Sequence, residues 1–198
     1  MIRLRRPSAR EVEAVLGSSA RPPSYPEVGL TAKLDAPDVR AAITARYDLD
    51  RHAFTLGRGR ALFDRARSSL LAWRQFEIPW LRLHGGSPVR SGQIVATVTS
   101  VAGVWFLNPC QVVYEDSVLG GDSVSYAYGT LAGHEESGEE RFCVTFDAAS
   151  DEVRYEIVAF SRPATVLTKL GYPVARAIQR RFAVSSAQAL TRAVTDRA

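Results

Sequence analysis

Tyr126-Ala127-Tyr128-Gly129-Thr130-Leu131-Ala132-Gly133-His134 opens the stretch that decides the fold. It continues through Glu135-Glu136-Ser137-Gly138-Glu139-Glu140 to Ala159-Phe160-Ser161-Arg162-Pro163 and ends at Phe182. Val124, Tyr126, Tyr128 and Thr130 share one side of a period-two pattern, as a strand with one buried face requires. Phe142, Val144 and Phe146 do the same in the next strand, and Val153, Tyr155 and Ile157 in the one after it. Between the first two strands the glutamate run reads as a solvent-exposed hairpin connection at the rim of a sheet. Beyond Pro163 the period changes to that of a helix. Leu167, Leu170, Val174, Ile178 and Phe182 form one apolar stripe, with Arg176, Arg180 and Arg181 largely off it. Pro163 fits the first turn of this helix, with Ser161 or Arg162 as its cap. Gly171 and Pro173 predict a kink or short break inside it.

Working outward, residues 80–160 are almost unbroken strand and turn. Upstream runs at 80–83, 93–101 and 110–118 alternate, and Gly120-Gly121 turns the chain. Residues 51–56 give a first strand, and Gly57-Arg58-Gly59-Arg60 a turn. Residues 61–76 carry Leu62, Phe63, Ala66, Leu70, Trp73 and Phe76 at helical spacing. Residues 1–46 read as a basic arm with short helices, Ser8 and Glu11 forming a capping box. This order gives an α+β, helix-grip fold: a strongly curved antiparallel sheet of about seven strands, each too amphipathic for a sheet covered on both faces, wrapped on a long C-terminal helix. The whole of 1–198 is expected to form one domain, with 1–46 as its arm.

Composition excludes several classes. With 46% hydrophobic and 23% charged residues the chain is globular rather than disordered. A net charge of +4, with acids and bases interspersed, is no nucleic-acid surface. No apolar window has transmembrane or signal-peptide length. Cys110 and Cys143 fall on next-but-one strands, roughly 9–10 Å apart and beyond the ~7 Å bridging limit, so free thiols and a cytoplasmic setting are expected.

The blocks Tyr128-Gly129-Thr130-Leu131, Gly133-His134, Gly138-Glu139-Glu140-Arg141-Phe142 and Ala159-Phe160-Ser161-Arg162-Pro163 together resemble an uncharacterised domain-of-unknown-function family of bacteria and plants. The resemblance extends to Tyr25-Pro26-Glu27-Val28-Gly29-Leu30-Thr31, Leu56-Gly57-Arg58-Gly59, Trp73-Arg74-Gln75-Phe76 and Tyr172-Pro173, covering most of residues 24–190. That family is similar to the START-like helix-grip (SRPBCC) superfamily, whose members bind lipids, hormones and polyketides, and some of which are cyclases or hydrolases. The resemblance implies a hydrophobic ligand and carries over no catalytic residue.

A curved sheet plugged incompletely by its helix leaves an apolar cavity, which is the physical basis for a ligand. The residues expected to line it are Tyr114, Tyr126, Tyr128, Phe142, Val144, Tyr155, Arg162, Leu170, Val174 and Ile178. A small acid–base enzyme in the same cavity is the alternative, with His134, Tyr128 or Glu156 carrying protons; a protein-interaction module using the basic arm is a third. His-Glu-x-x-His fails at Gly138, so no metal site is expected, and no cofactor motif is complete. The partners this implies are a small hydrophobic ligand and at most a second copy of the chain, with no nucleic acid and no integral membrane association.

Overall fold

Tight turns join most of the strands, so the sheet is antiparallel throughout. The computed structural model describes residues 1–18, 21–118, 120–164 and 171–195. Strands β2 (Asp48–Arg58), β3 (Leu81–His84), β4 (Ile94–Val101), β5 (Val104–Asp116), β6 (Ser123–Thr130), β7 (Glu136–Asp147) and β8 (Glu152–Pro163) pair in the order β2-β8-β7-β6-β5-β4-β3. A short β1 (Ile2–Arg3) adds to the free side of β5. The sheet curls strongly. Helices α3 (Arg60–Leu71) and α4 (Tyr172–Thr195) cover its concave face. On the convex face lie α1 (Ala9–Leu16), α2 (Pro37–Thr44) and a 3-10 turn (Leu30–Lys33).

The concave core joins Val112, Tyr126, Phe142, Val144, Tyr155 and Ile157 to Phe63, Leu70 and Phe76, and to Ala183, Ala187 and Leu190 of α4. The expected helix over 61–76 stops early. Trp73 takes a left-handed conformation (φ 62°), and a 3-10 turn (Arg74–Phe76) folds back to bury Gln75 and Phe76. Gln75 Nε2 donates to the buried Tyr126 hydroxyl.

The C-terminal helix also differs from expectation. Ser161, Arg162 and Pro163 finish β8, paired with Gly138, Ser137 and Glu136, and do not cap a helix. The described part of α4 begins at Tyr172, and the Gly171 carbonyl accepts its first helical N–H groups; the residues preceding Gly171, on which the expected kink or short break depends, lie outside the described residues. Pro173 is tolerated in the first turn because an N–H there has no intrahelical partner. Leu167 and Leu170 lie outside the described residues. Both cysteines are free and buried, on β5 and β7 either side of β6.

The glutamate run is not an exposed loop. The turn closes at residues 131–135, and from Glu136 the chain is strand. Glu139 points to the convex side and is 3% exposed. Its carboxylate accepts from the Tyr25 hydroxyl (2.6 Å), the Gly29 and Thr31 amides (2.6 and 2.9 Å) and the Thr31 hydroxyl. The stretch 25–31 therefore wraps one buried anion, which is how the arm is pinned to the sheet. Gly129 makes room for the arm, and Gly138, on the other face, lets β7 lie close to β8. A Cβ at Gly129 would sit 2.0 Å from the Tyr25 hydroxyl oxygen, and one at Gly138 would sit 1.9 Å from the Phe160 carbonyl. Because removing the anion orphans several buried donors, Glu139→Ala should cost about 3 kcal/mol in urea unfolding, and Tyr25→Phe about 1 kcal/mol. A loss below about 1 kcal/mol for Glu139→Ala would show that the arm is held by apolar packing alone.

Candidate functional site

The inner half of the sheet carries unusually small side chains under the start of α4. One cross-strand row runs Asp50, Ala159, Glu140, Tyr128, Val112, and the next places Ser161 beside Gly138. Ala159, Gly138 and Ser161 keep this floor low. Val174, Ala175, Ile178 and Phe182 of α4 form the roof, and Thr97, Thr99, Phe106, Trp80 and Leu81 close the far side. Between them is a cavity of about 610 Å³, within the range of small-molecule sites. Beyond Phe182, which packs on Phe76 and Phe142, the space is filled by core.

Most of the wall is apolar, with polar groups gathered along β7. Glu140 accepts from the Tyr128 hydroxyl (2.6 Å). Burial raises its pKa to about 7; the Tyr128 hydrogen bond lowers it, and the charges of Glu136 and Asp50 add to the rise. Burial likewise raises Glu136, opposed by hydrogen bonds from Gln179 (2.6 Å) and Ser161 and by the charge of Arg176. Arg176 forms a bidentate pair with Asp50 and donates to Gln179 Oε1 (2.7 Å), and Tyr172 donates to Asp48 (2.9 Å). The first turns of α4 are thus tied to β2, β7 and β8 by polar contacts.

His134 also lines the cavity. Burial, then the nearby charged amino group of Met1, pushes its pKa down to about 3. Its Nδ1 accepts the Glu136 amide (2.9 Å), so the ring is neutral with its proton on Nε2. The Met1 amine itself pairs with Glu135 (2.9 Å).

Of the expected lining residues, Tyr128, Val174 and Ile178 line the cavity. Tyr126, Phe142, Val144 and Tyr155 face the same side but are sealed in the core, Tyr155 sharing a hydrogen bond with Ser186 (2.8 Å). Tyr114 is on the opposite face. A bulge between Val112 and Tyr114 shifts the register, and its hydroxyl meets Thr31 (2.8 Å). Arg162 is also convex, 4.9 Å over the Tyr47 ring, and Glu156 pairs there with Arg51 and Arg141. Leu170 falls outside the described residues. Glu140, Glu136, Asp50 and Gln179 were missed, although the alternation of Phe142 and Val144 runs back unbroken through Glu140, Gly138 and Glu136.

A model for a domain of unknown function (DUF1990) matches residues 24–189. The chain belongs to this DUF1990 family. A UPF0548 protein of Deinococcus radiodurans is 32% identical over 98% of both chains; one of Arabidopsis thaliana is 36% identical over 74% of this chain and 73% of its own. Among solved structures, the Zhui aromatase/cyclase of Streptomyces sp. R1128 superposes with a TM-score of 0.50 at 15% identity, covering 75% of this DUF1990 chain and 94% of its own. Norcoclaurine synthase of Thalictrum flavum, solved with dopamine and hydroxybenzaldehyde, gives 0.50 at 9%, covering 77% and 88%. These two share the fold. Among the described residues no helix is long and apolar enough to cross a membrane.

The raised pKa of Glu140 has a defined thermodynamic sign. Above 4.5 the unfolded chain releases a proton that the folded state keeps until about 7. Stability therefore falls as pH rises through this window and levels off above it. Glu140→Gln retains an acceptor for Tyr128 and removes the titration. Relative to the parent it should gain on the order of 2–3 kcal/mol between pH 4 and pH 8 in urea melts. Parallel pH profiles for the two proteins would show Glu140 to be solvated like a surface carboxylate.

Proposed function

We propose that this DUF1990 protein binds a small hydrophobic or amphipathic ligand between sheet and C-terminal helix. The observation that carries the reading is the cavity of about 610 Å³, apolar over most of its wall, floored by the small residues Ala159, Gly138 and Ser161. A floor built of small side chains under an otherwise filled core is space that packing alone would close. The polar groups along β7 would orient the ligand's head, leaving its body against Val174, Ile178 and Phe182.

A second reading, acid–base catalysis on the bound molecule, draws on one arrangement: a desolvated carboxyl, Glu140, hydrogen-bonded to Tyr128 inside an apolar cavity. In it Glu140 would carry the proton and Tyr128 would hold the carboxyl in place. Glu156, on the other face, takes no part.

Nile red, a neutral apolar dye, should bind saturably with a blue-shifted emission. Ala159→Leu, which fills the floor, should weaken that binding at least about tenfold while leaving the melting temperature near the parent's. Native mass spectrometry of the parent should show a co-purifying hydrophobic mass that Ala159→Leu lacks. Equal dye binding by both proteins would remove the cavity as the site.

A further inference from the structure

Deepening the cavity-binding reading, and resting on it, we infer that the ligand is an amphipathic amine, its protonated nitrogen held against Glu140 and its apolar body under α4. Asp50, Glu135, Glu136 and Glu140 line this end of the cavity, and two cations stand against them: the Met1 ammonium on Glu135 and the Arg176 guanidinium on Asp50. Arg176 is consumed by Asp50, closing a two-point ion pair at the roof. Glu136 is engaged by the neutral amide of Gln179. Glu140 accepts one hydrogen bond through Oε2, from Tyr128, and its carboxyl stays partly accessible from the cavity, with no cation paired to it among the described residues. A second residue of the wall points the same way: Asn108 lines the cavity, and its Oδ1 is buried with no hydrogen-bond partner among the described residues.

Beside the His134 Nε2–H, the acceptors of Glu136 and Glu140 dominate this end of the cavity, and once Glu140 is ionised the charge left without a cation is negative. An ammonium group supplies several N–H donors and the missing positive charge, and charge-assisted bonds of this kind are roughly twice as strong as neutral ones. A carboxylate-headed amphiphile would instead bring a further anion beside Glu136 and Glu140 into a poorly hydrated space, and is rejected. The row Asp50–Ala159–Glu140 provides the room, because Ala159 leaves open the floor between the two acidic strands.

Three ligands with one chain and three heads test this on the full-length protein. Dodecylamine, dodecanol and dodecanoic acid, each below its micellar concentration, are titrated against bound Nile red. Dodecylamine should displace the dye about tenfold more tightly than dodecanol, with dodecanoic acid weakest. Glu140→Gln should bring the amine to within about twofold of the alcohol while alcohol binding persists, which also shows that the variant is folded. If the acid binds as well as the amine, or Glu140→Gln keeps the parent's preference, the assignment of the head group fails and cavity binding stands. If none of the three displaces the dye, cavity binding itself fails.

Discussion

Adjacent residues of a strand point to opposite faces, and on β7 the two adjacent residues are both glutamates. Glu139 faces outward and is saturated, taking donors from Tyr25, Gly29 and Thr31. Glu140 faces inward and receives one donor, from Tyr128. Glu139 is buried, and partial burial raises the pKa of Glu140, so each side of the sheet has a carboxylate to answer. The outer answer is complete and structural: the arm folds around the anion, and the arm's other contacts follow from where that anion places it. The inner answer is incomplete, and the incompleteness is the site.

The same strand shows why the site was harder to read than the fold. Period-two and helical patterns made the strands, the helix order and the curved sheet legible, because burial of one face imposes them. Glutamates contradict that pattern locally, and a run of them reads as a solvated loop. The chain nevertheless keeps its alternation through Gly138 and Glu140 into Phe142, since Gly138 permits a close approach to β8 that no side chain would allow. Face assignment failed where geometry rather than composition decides. One bulge after Val112 turns Tyr114 outward, and nothing in the residues themselves announces it. Trp73 likewise ends a helix whose apolar spacing continues: its backbone is left-handed, and its ring packs on Tyr126 at 4.8 Å.

The stretches by which the chain resembles its family sort by the same criterion. Tyr25–Thr31, Gly129 and Glu139 meet in one outer knot. Trp73–Phe76 seals the core beneath Tyr126 and Phe142. Within the quoted blocks the polar side chains that line the cavity include Tyr128, His134, Glu140 and Ser161. A family pattern of this kind is mostly architecture, with its chemistry confined to the inward-facing members.

Helix α4 changes character along its length. From Ala183 onward it is cemented by buried alanines and Leu190, and Arg65 ties the Val194 carbonyl at 3.1 Å. Its first two turns rest on the sheet through Tyr172, Arg176 and Gln179, at the margin of solvent. The two ends of the helix are therefore held by different means, side-chain polar contacts at the start and buried apolar packing further on. The contacts that hold the roof of the cavity are thus separate from the packing that holds the core, and either can vary in sequence without the other.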